Sequence, residues 1–418
     1  MLCLDDRVGP DSTKTVREVL REKHPPSCDV FTDALLTTTE EPPEVHPVFF
    51  ERLTSRTILD AALHTQGSAG PSGIDAAGWC RMCCSFHKDS DDLCAAMAQF
   101  AKRMCMTYVD PKGLDAYVPC RLIPLDKSPG VRSIGVCEVL RRIVGKAILR
   151  VVGPDVCKAA GPLQLCVGQE AGVEAAVHAL REILQQEDTD AVLLVDAANA
   201  FNNLNRRMAL LNIQYLCPSI AVVLINCYRA QAQLFTDGIS LSSEEGTTQG
   251  DPLAMVMFGL ASLPLIRAVA TTESEQIWFA DDAAAGGKLL SVRQWWDRLI
   301  QIGPMYGYFP QACKTSLVVK EEMLAEAAKV FKGIPVEICT GKRYLGGSVG
   351  TDSFGSQFMS SKIEEWTAEV KRLAQIAKSQ PHAAYAAFVH GLIGRWVFMI
   401  RVSPSSVAEL LVLLEKAV

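Results

Sequence analysis

Ala191-Val192-Leu193-Leu194-Val195 is an unbroken apolar run of strand length, and it ends on a carboxylate, Asp196. A run with no polar face to offer water reads as a buried strand. A second stretch, Ile277-Trp278-Phe279-Ala280-Asp281-Asp282-Ala283-Ala284-Ala285-Gly286-Gly287, sets two acids between two apolar arms and reads as a hairpin with both acids at or near its turn. Each acid alone has an ordinary explanation, because Asp often caps the turn that follows a strand and Asp pairs favour turns. Together they are harder to account for. Like charges beside apolar strands repel and lose hydration unless something compensates them. A hard divalent cation would do so, and Mg2+ takes one or two carboxylates plus substrate phosphates. Spacing alone does not bring residues 196 and 281 together.

Outward from these stretches the chain alternates helices and short strands. Residues 1–46 read as a peripheral segment, with a helix from Thr13 to Lys23 capped by Asp11 or Ser12 and a polar linker from Thr37 to Glu44. Helical spacing runs from Phe49 to Leu63, is broken by the Gly- and Pro-rich loop 67–73, and resumes from Ala76 to Met106. An extended piece (Arg121 to Leu125), a turn at Ser128-Pro129-Gly130, a second extended piece and a helix from Glu138 to Val152 follow. The helix Gly172 to Leu184 leads into the buried strand. After Gly355 come helix-like stretches at 358–378, 382–402 and 405–418. With no internal repeat, the pattern is that of an α+β protein. The end at Val418, inside a predicted helix without a C-cap, leads us to expect a piece of a longer open reading frame.

The 418 residues carry a formal charge of −6, which argues mildly against a nucleic-acid binder. The charge is segregated, however. Seven basic residues (Arg121, Lys127, Arg132, Arg141, Arg142, Lys146, Arg150) face two acids (Asp126, Glu138) between positions 121 and 150, so that segment is at +5 and the remainder at −11. A basic strip on an acidic body is compatible with a phosphate partner. The N-terminus lacks the basic start and apolar run of a signal peptide, and the 15 cysteines read as reduced thiols of cytoplasm or nucleus. The apolar stretch Ala383 to Val402 contains His390 and Arg395 and reads as a buried helix, with no membrane partner expected. Cys80, Cys83, Cys84 and His87 invite a zinc reading, but Cys80 and Cys84 lie four apart on a predicted helix and no second C-x2-C follows, so core thiols are preferred.

Several segments, in order, resemble the reverse transcriptase domain of eukaryotic non-LTR-type retroelements. Val195-Asp196 with Phe201 five residues on is similar to the family's first catalytic stretch. Gln249-Gly250-Asp251-Pro252-Leu253 is similar to its template-binding stretch, and Phe279-Ala280-Asp281-Asp282 to its aromatic-Ala-Asp-Asp box. Ala312-Cys313-Lys314-Thr315-Ser316 and Tyr344-Leu345-Gly346-Gly347 resemble the later palm stretches, and residues 70–75 and 121–136 the fingers. Ser133 stands where the family often has Pro, and Asn202 where it often has a second acid. The resemblance covers roughly residues 49 to 350.

It implies a right-hand polymerase: fingers at about 47–190 and 206–240, palm with an antiparallel sheet at about 191–205 and 241–350, and an incomplete helical thumb at 351–418. The implied reaction is RNA-directed DNA synthesis, adding dNTPs to a primer on an RNA template. Two Mg2+ ions, or Mn2+ in their place, would sit on Asp196, Asp281 and Asp282. Lys314 would protonate the departing pyrophosphate. Lys127, Arg132, Phe201 and Gln249 would hold the incoming nucleotide, with Phe201 beneath its sugar, and a bidentate Arg beside a point-charge Lys suits three phosphates. Gly250 and Asp251 would support the template, with Gly250 in a left-handed or close-approach conformation and Asp251 also able to cap the following helix. Arg142 and Lys146, with Arg150 on the same helical face, would touch the template backbone. Tyr344, Leu345 and Gly346 would steady the primer end. Two other readings compete: an inactivated or host-adopted copy that binds nucleic acid without catalysis, and a palm polymerase that makes RNA.

Overall fold

The computed structural model describes residues 2–8, 12–36, 40–127 and 130–418. The expected cap Asp11, the start of the linker at Thr37 and the turn residues Ser128 and Pro129 lie outside them. In chain order the described strands are β1 (Cys120–Asp126), β2 (Val131–Cys137), β3 (Ala191–Val195), β4 (Ala232–Thr236), β5 (Ile239–Ser243), β6 (Ser274–Phe279), β7 (Asp282–Gly287), β8 (Ser316–Val319), β9 (Glu337–Cys339), β10 (Gly341–Tyr344) and β11 (Gly347–Gly350). With helices between them and antiparallel pairing predominating, the chain is α+β. It divides into two compact units, one of residues 1–169, 197–268 and 300–309, the other of 170–196, 269–299 and 310–418.

In the first unit the sheet order is β2-β1-β4-β5. β1 and β2 form an antiparallel hairpin in register from Cys120↔Cys137 to Asp126↔Val131, and β1 touches β4 in parallel over two residue pairs. Leu4, Val16 and Leu20 are buried against Leu122, Val131 and Leu234, so the N-terminal residues build the core here instead of standing at its periphery. Their helix begins at Val16, later than its spacing predicts, because Arg7 and Thr15 form an extended bridge that draws residues 13–14 out of the helix. Thr15 takes the cap role expected of Asp11 or Ser12, in a reciprocal capping box with Glu18. The long helical pattern from Ala76 to Met106 divides into Ala76–Cys84 and Lys88–Met106, and His87 at φ 49° turns the chain between them.

The helix Val139–Ala160 shows where the basic strip goes. Arg141 is only 1% exposed and pairs with the buried carboxylate of Asp251, which also accepts the hydroxyl of Tyr228. Arg142, Lys146 and Arg150 lie on another face and donate to main-chain carbonyls of Gln66 and Ser68, of His64, and of Asp60. Those carbonyls belong to the last turn of helix Ser55–Leu63 and the loop beyond it. A helix end carries orphan carbonyls and partial negative charge, so cations settle there. The three side chains expected on a template backbone are therefore engaged within the protein.

In the second unit the sheet order is β6-β7-β3-β8-β9, with β3 antiparallel to both β7 and β8. All five residues of β3 are buried, as its composition requires. Helix Gly172–Gln185 lies close over β7, where a Cβ on Gly286 would sit 2.8 Å from Val192 Cγ1 and overlap Ile183. The β10–β11 hairpin leads into helix Asp352–Ala377. The stretch Pro381–Val402 is, among the described residues, the one helix long and apolar enough to cross a membrane, and most of it is exposed. That differs from the buried helix expected. Phe388 and Trp396 pack along one side toward Trp366, and Arg395 pairs with Glu369, while Tyr385, Val397 and Ile400 remain uncovered.

The Arg141–Asp251 pair yields a stability test. Arg141→Met leaves Asp251 buried without its counter-charge and should lower unfolding free energy by about 3–5 kcal/mol, whereas adding Asp251→Leu should recover much of the loss. Urea denaturation of the single and double variants measures both, and a double variant as unstable as the single would count against the ion-pair account.

Candidate active site

Antiparallel register gathers the acids of the second unit. Val195 pairs with Ala283, so Asp196 leaves β3 at the same end at which Asp282 enters β7. Phe279 pairs with Asp282, which makes Ala280 and Asp281 the two central residues of the β6–β7 turn. Ala280 has φ 53° and is buried, a left-handed conformation that a residue with a Cβ adopts at a cost. Burial, the charge of Asp281 and the charge of Asp196 together push the Asp282 carboxyl up to about 7. The hairpin expected from sequence is present, and it brings all three acids within electrostatic reach of one another.

Two further side chains converge there. Lys314 ends a short 3-10 turn and holds its ammonium 3.8 Å from Asp196, with both groups about half exposed. The main-chain carbonyl of Asp196 accepts from Gln311 N–H at 2.8 Å, which ties the Lys314 segment to the end of β3. Tyr344 ends β10 with its ring buried. Its hydroxyl has no hydrogen-bond partner among the described residues, and burial and the Asp282 charge push its pKa well up. The next residues, Leu345 and Gly346, turn the hairpin at φ 45° and 87°, so a second strained non-glycine turn belongs to this unit.

Among the described residues no three acid, thiol or imidazole groups are gathered tightly enough to hold a metal ion unaided. The donors are nevertheless all carboxylate oxygens, and their mutual repulsion is relieved by added positive charge. That fits a hard divalent cation that completes its shell with water and phosphate oxygens.

The other residues singled out from sequence lie in the first unit. Lys127 and Arg132 are exposed on the β1–β2 hairpin, where Lys127 N–H donates to Gly130 O at 3.0 Å. Gln249 is half-buried, and its carbonyl accepts from Gly135 N–H at 2.8 Å. Gly250 has φ 112°, and a Cβ there would overlap Gly135 O, so the glycine is needed on both counts. Asp251 is not available to a template. Besides Arg141 and Tyr228 it holds the N–H of Leu253 at 3.1 Å, ahead of helix Ala254–Val269, which is the capping role weighed for it. Phe201 is half-buried and stacks on Phe258, centroids 4.5 Å apart and planes at 21°. Arg206 is a further buried cation, held by carbonyls of Ser243, Glu245 and Gly246 and lying over the Tyr228 ring. Nothing in the local sequence marks Arg141, Tyr228 or Arg206 as partners of this loop, since contacts across 110 residues leave no periodic trace.

No protein-family model matches the chain, and no curated protein matches it.

The raised carboxyl of Asp282 predicts a pH dependence. An unfolded Asp releases its proton near 3.8, while the folded group holds it up to about 7. Its stabilising contribution is therefore complete below the unfolded value and lost as pH rises through 7. In chelator without divalent ions, Asp282→Asn should gain melting temperature relative to wild type between pH 5 and pH 8. A difference that stays flat across that range would contradict the crowding of charge described above.

Proposed function

We propose that the chain is an RNA-directed DNA polymerase that extends a primer 3′ end with dNTPs. The observation that carries this reading is the gathering of Asp196, Asp281 and Asp282 at one end of a buried antiparallel sheet, with Lys314 beside Asp196. A structural role alone would not favour three acids in partly desolvated positions. The antiparallel sheet of the second unit suits a palm, the hairpin sheet and helices of the first suit fingers, and the helices of residues 351–418 suit a thumb.

In this reading Asp196, Asp281 and Asp282 hold a pair of Mg2+ ions, with Mn2+ able to replace them. When bound, such ions neutralise phosphate oxygens and activate the primer hydroxyl for in-line displacement. The chain's own groups do the rest. Lys314 stands beside Asp196 and is exposed enough to pass a proton to departing pyrophosphate. Lys127 and Arg132 present exposed cations for the triphosphate. Gln249 and Gly250 form a fixed turn, which the buried Asp251 anchors from behind, so Asp251 is a positioning residue. Arg142 and Lys146 each donate to main-chain carbonyls, which fixes them on the protein and leaves their remaining N–H groups for a template backbone.

Primer extension on an RNA template with dNTPs and Mg2+ tests the proposal. Asp196→Ala and Asp281→Ala should each lower extension by about 10³-fold or more while the proteins stay folded, since phosphoryl transfer depends on positioning and charge neutralisation. Wild-type-like extension by either variant would end the assignment, as would inactivity of the folded wild type.

Sugar choice gives a second test. Phe201 is held flat against Phe258, so its ring has little freedom to yield to a 2′-hydroxyl placed against it. Phe201→Ala should admit ribonucleotides, reducing discrimination by about 1–3 kcal/mol, the scale of a steric contact in a pocket. Single-nucleotide addition with matched rNTP and dNTP measures it. Unchanged discrimination in an active variant would make Phe201 a packing residue only.

A further inference from the structure

We propose that Cys120 and Cys137 are a reversible oxidation site, where peroxide converts two facing thiols of the first unit into a disulfide that staples the open end of the β1–β2 hairpin. The inference is independent of the polymerase reading.

Strand register makes the pair. Cys120 opens β1 and Cys137 closes β2, directly opposite each other. In an antiparallel ladder, opposed residues alternate between pairs that exchange main-chain hydrogen bonds and pairs whose N–H and C=O groups point away from each other. Two outward bonds fix which kind this is. Gly135, opposite Leu122, sends its N–H to Gln249 O at 2.8 Å, and Pro124, opposite Ser133, accepts from Leu2 N–H at 3.4 Å. Both pairs are of the outward kind. Cys120 and Cys137 lie two residues beyond Leu122 and Gly135, so they are of that kind too. Such pairs hold their side chains closest, with Cα atoms about 4.5 Å apart. That separation falls within the roughly 4.4–6.8 Å that a disulfide spans.

The side chains agree with the backbone. The two sulfurs stand 3.0 Å apart, and both cysteines are fully buried. A disulfide is about 2.05 Å long, so closure asks for about 1 Å of sulfur movement and no change of register. Leu122, Val131 and Leu234 share the same apolar core. The hydrogen bond with Cys120, and then burial, raise the Cys137 thiol well above its ordinary pKa. Thiolate is therefore scarce, the reaction is slow, and the oxidant has to be small enough to enter the core.

Hydrogen peroxide meets that requirement. One sulfur attacks a peroxide oxygen, the O–O bond breaks, and the departing hydroxide takes the thiol proton as water. The sulfenic acid so formed faces the second thiol, whose sulfur displaces its oxygen. The S–O bond breaks, the S–S bond forms, and a second water leaves with the second thiol proton. Two thiols and one peroxide thus give one disulfide and two waters. The new bond closes a loop that contains Lys127 and Arg132, and a closed loop restricts the unfolded chain.

The test is graded oxidation of the whole chain with hydrogen peroxide, followed by unfolding, alkylation, digestion and mass spectrometry of the linked peptides. A peptide joining Cys120 to Cys137 should appear, and dithiothreitol should return both to alkylatable thiols. The exposed cysteines are Cys3, Cys28, Cys84 and Cys313. A variant carrying Cys3→Ser, Cys28→Ser, Cys84→Ser and Cys313→Ser keeps both core thiols and should form the same bridge, whereas Cys120→Ala should not. Bridged protein should melt about 5 °C or more above the same sample after dithiothreitol. Core thiols that stay free in folded protein after the exposed ones are fully oxidised overturn the proposal, as does pairing of either with another cysteine. Equal melting temperatures of bridged and reduced protein would refute the staple.

Discussion

Electrostatic repulsion among Asp196, Asp281 and Asp282 is the constraint that organises the second unit. Asp281 and Asp196 raise the proton affinity of the partly buried Asp282, and such a group does not stay together unless the backbone beneath it is immovable. β3 supplies that rigidity, since it is buried along its whole length and paired on both sides. β7 contributes by being made of Ala and Gly beyond Asp282, which lets helix Gly172–Gln185 lie directly on the sheet. The turn that carries Asp281 is strained at Ala280, and the turn after Tyr344 is strained at Leu345. Strain held in place by a well-packed sheet is common where geometry serves chemistry, and here one strained turn carries Asp281, which acts on Asp282, while the other follows Tyr344, on which Asp282 acts.

The first unit treats a buried carboxylate in the opposite way. Asp251 is as deeply buried as any acid described, yet Arg141, Tyr228 and the N–H of Leu253 satisfy it completely. Its charge is neutralised inside the protein. The contrast separates the two kinds of acid: Asp251 is a structural anchor, and Asp282 is crowded by two neighbouring acids. That crowding is the reason to look for a divalent cation at Asp196, Asp281 and Asp282 and not at Asp251.

Which parts were legible from sequence follows from the range of the forces involved. The buried strand at 191–195, the acid-bearing hairpin and the special conformation of Gly250 are local properties of composition and turn chemistry, and each is found as expected. The partners of Arg142, Lys146 and Arg150 were not legible. Periodicity shows that the three share a helix face, but not that a helix end lies against it. Arg141, one residue away, points inward for a reason 110 residues distant. The exposed helix Pro381–Val402 misled in the other sense, because apolar composition shows what a helix could bury and not whether the described chain provides a cover. The early helix starts later than its spacing suggests, since a bridge from Arg7 to Thr15 outweighs the helical preference of residues 13–14.

Phe201 shows how a packing role and a chemical role can be the same fact. A lone Phe after a strand is more often core than function, and its stack on Phe258 bears out the core role. An aromatic that excludes a hydroxyl by collision must itself be unable to move, because a free ring would rotate away and accept the larger sugar. Stacking against a second ring that is itself buried removes that freedom. Helix Ala254–Val269, which carries Phe258, begins just after Asp251, and Asp251 is fixed by Arg141. The buried ion pair thus reaches Phe201 through one turn of backbone and one aromatic stack, entirely within the first unit. Discrimination against a 2′-hydroxyl would then depend on stability contributed by residues that never approach a nucleotide.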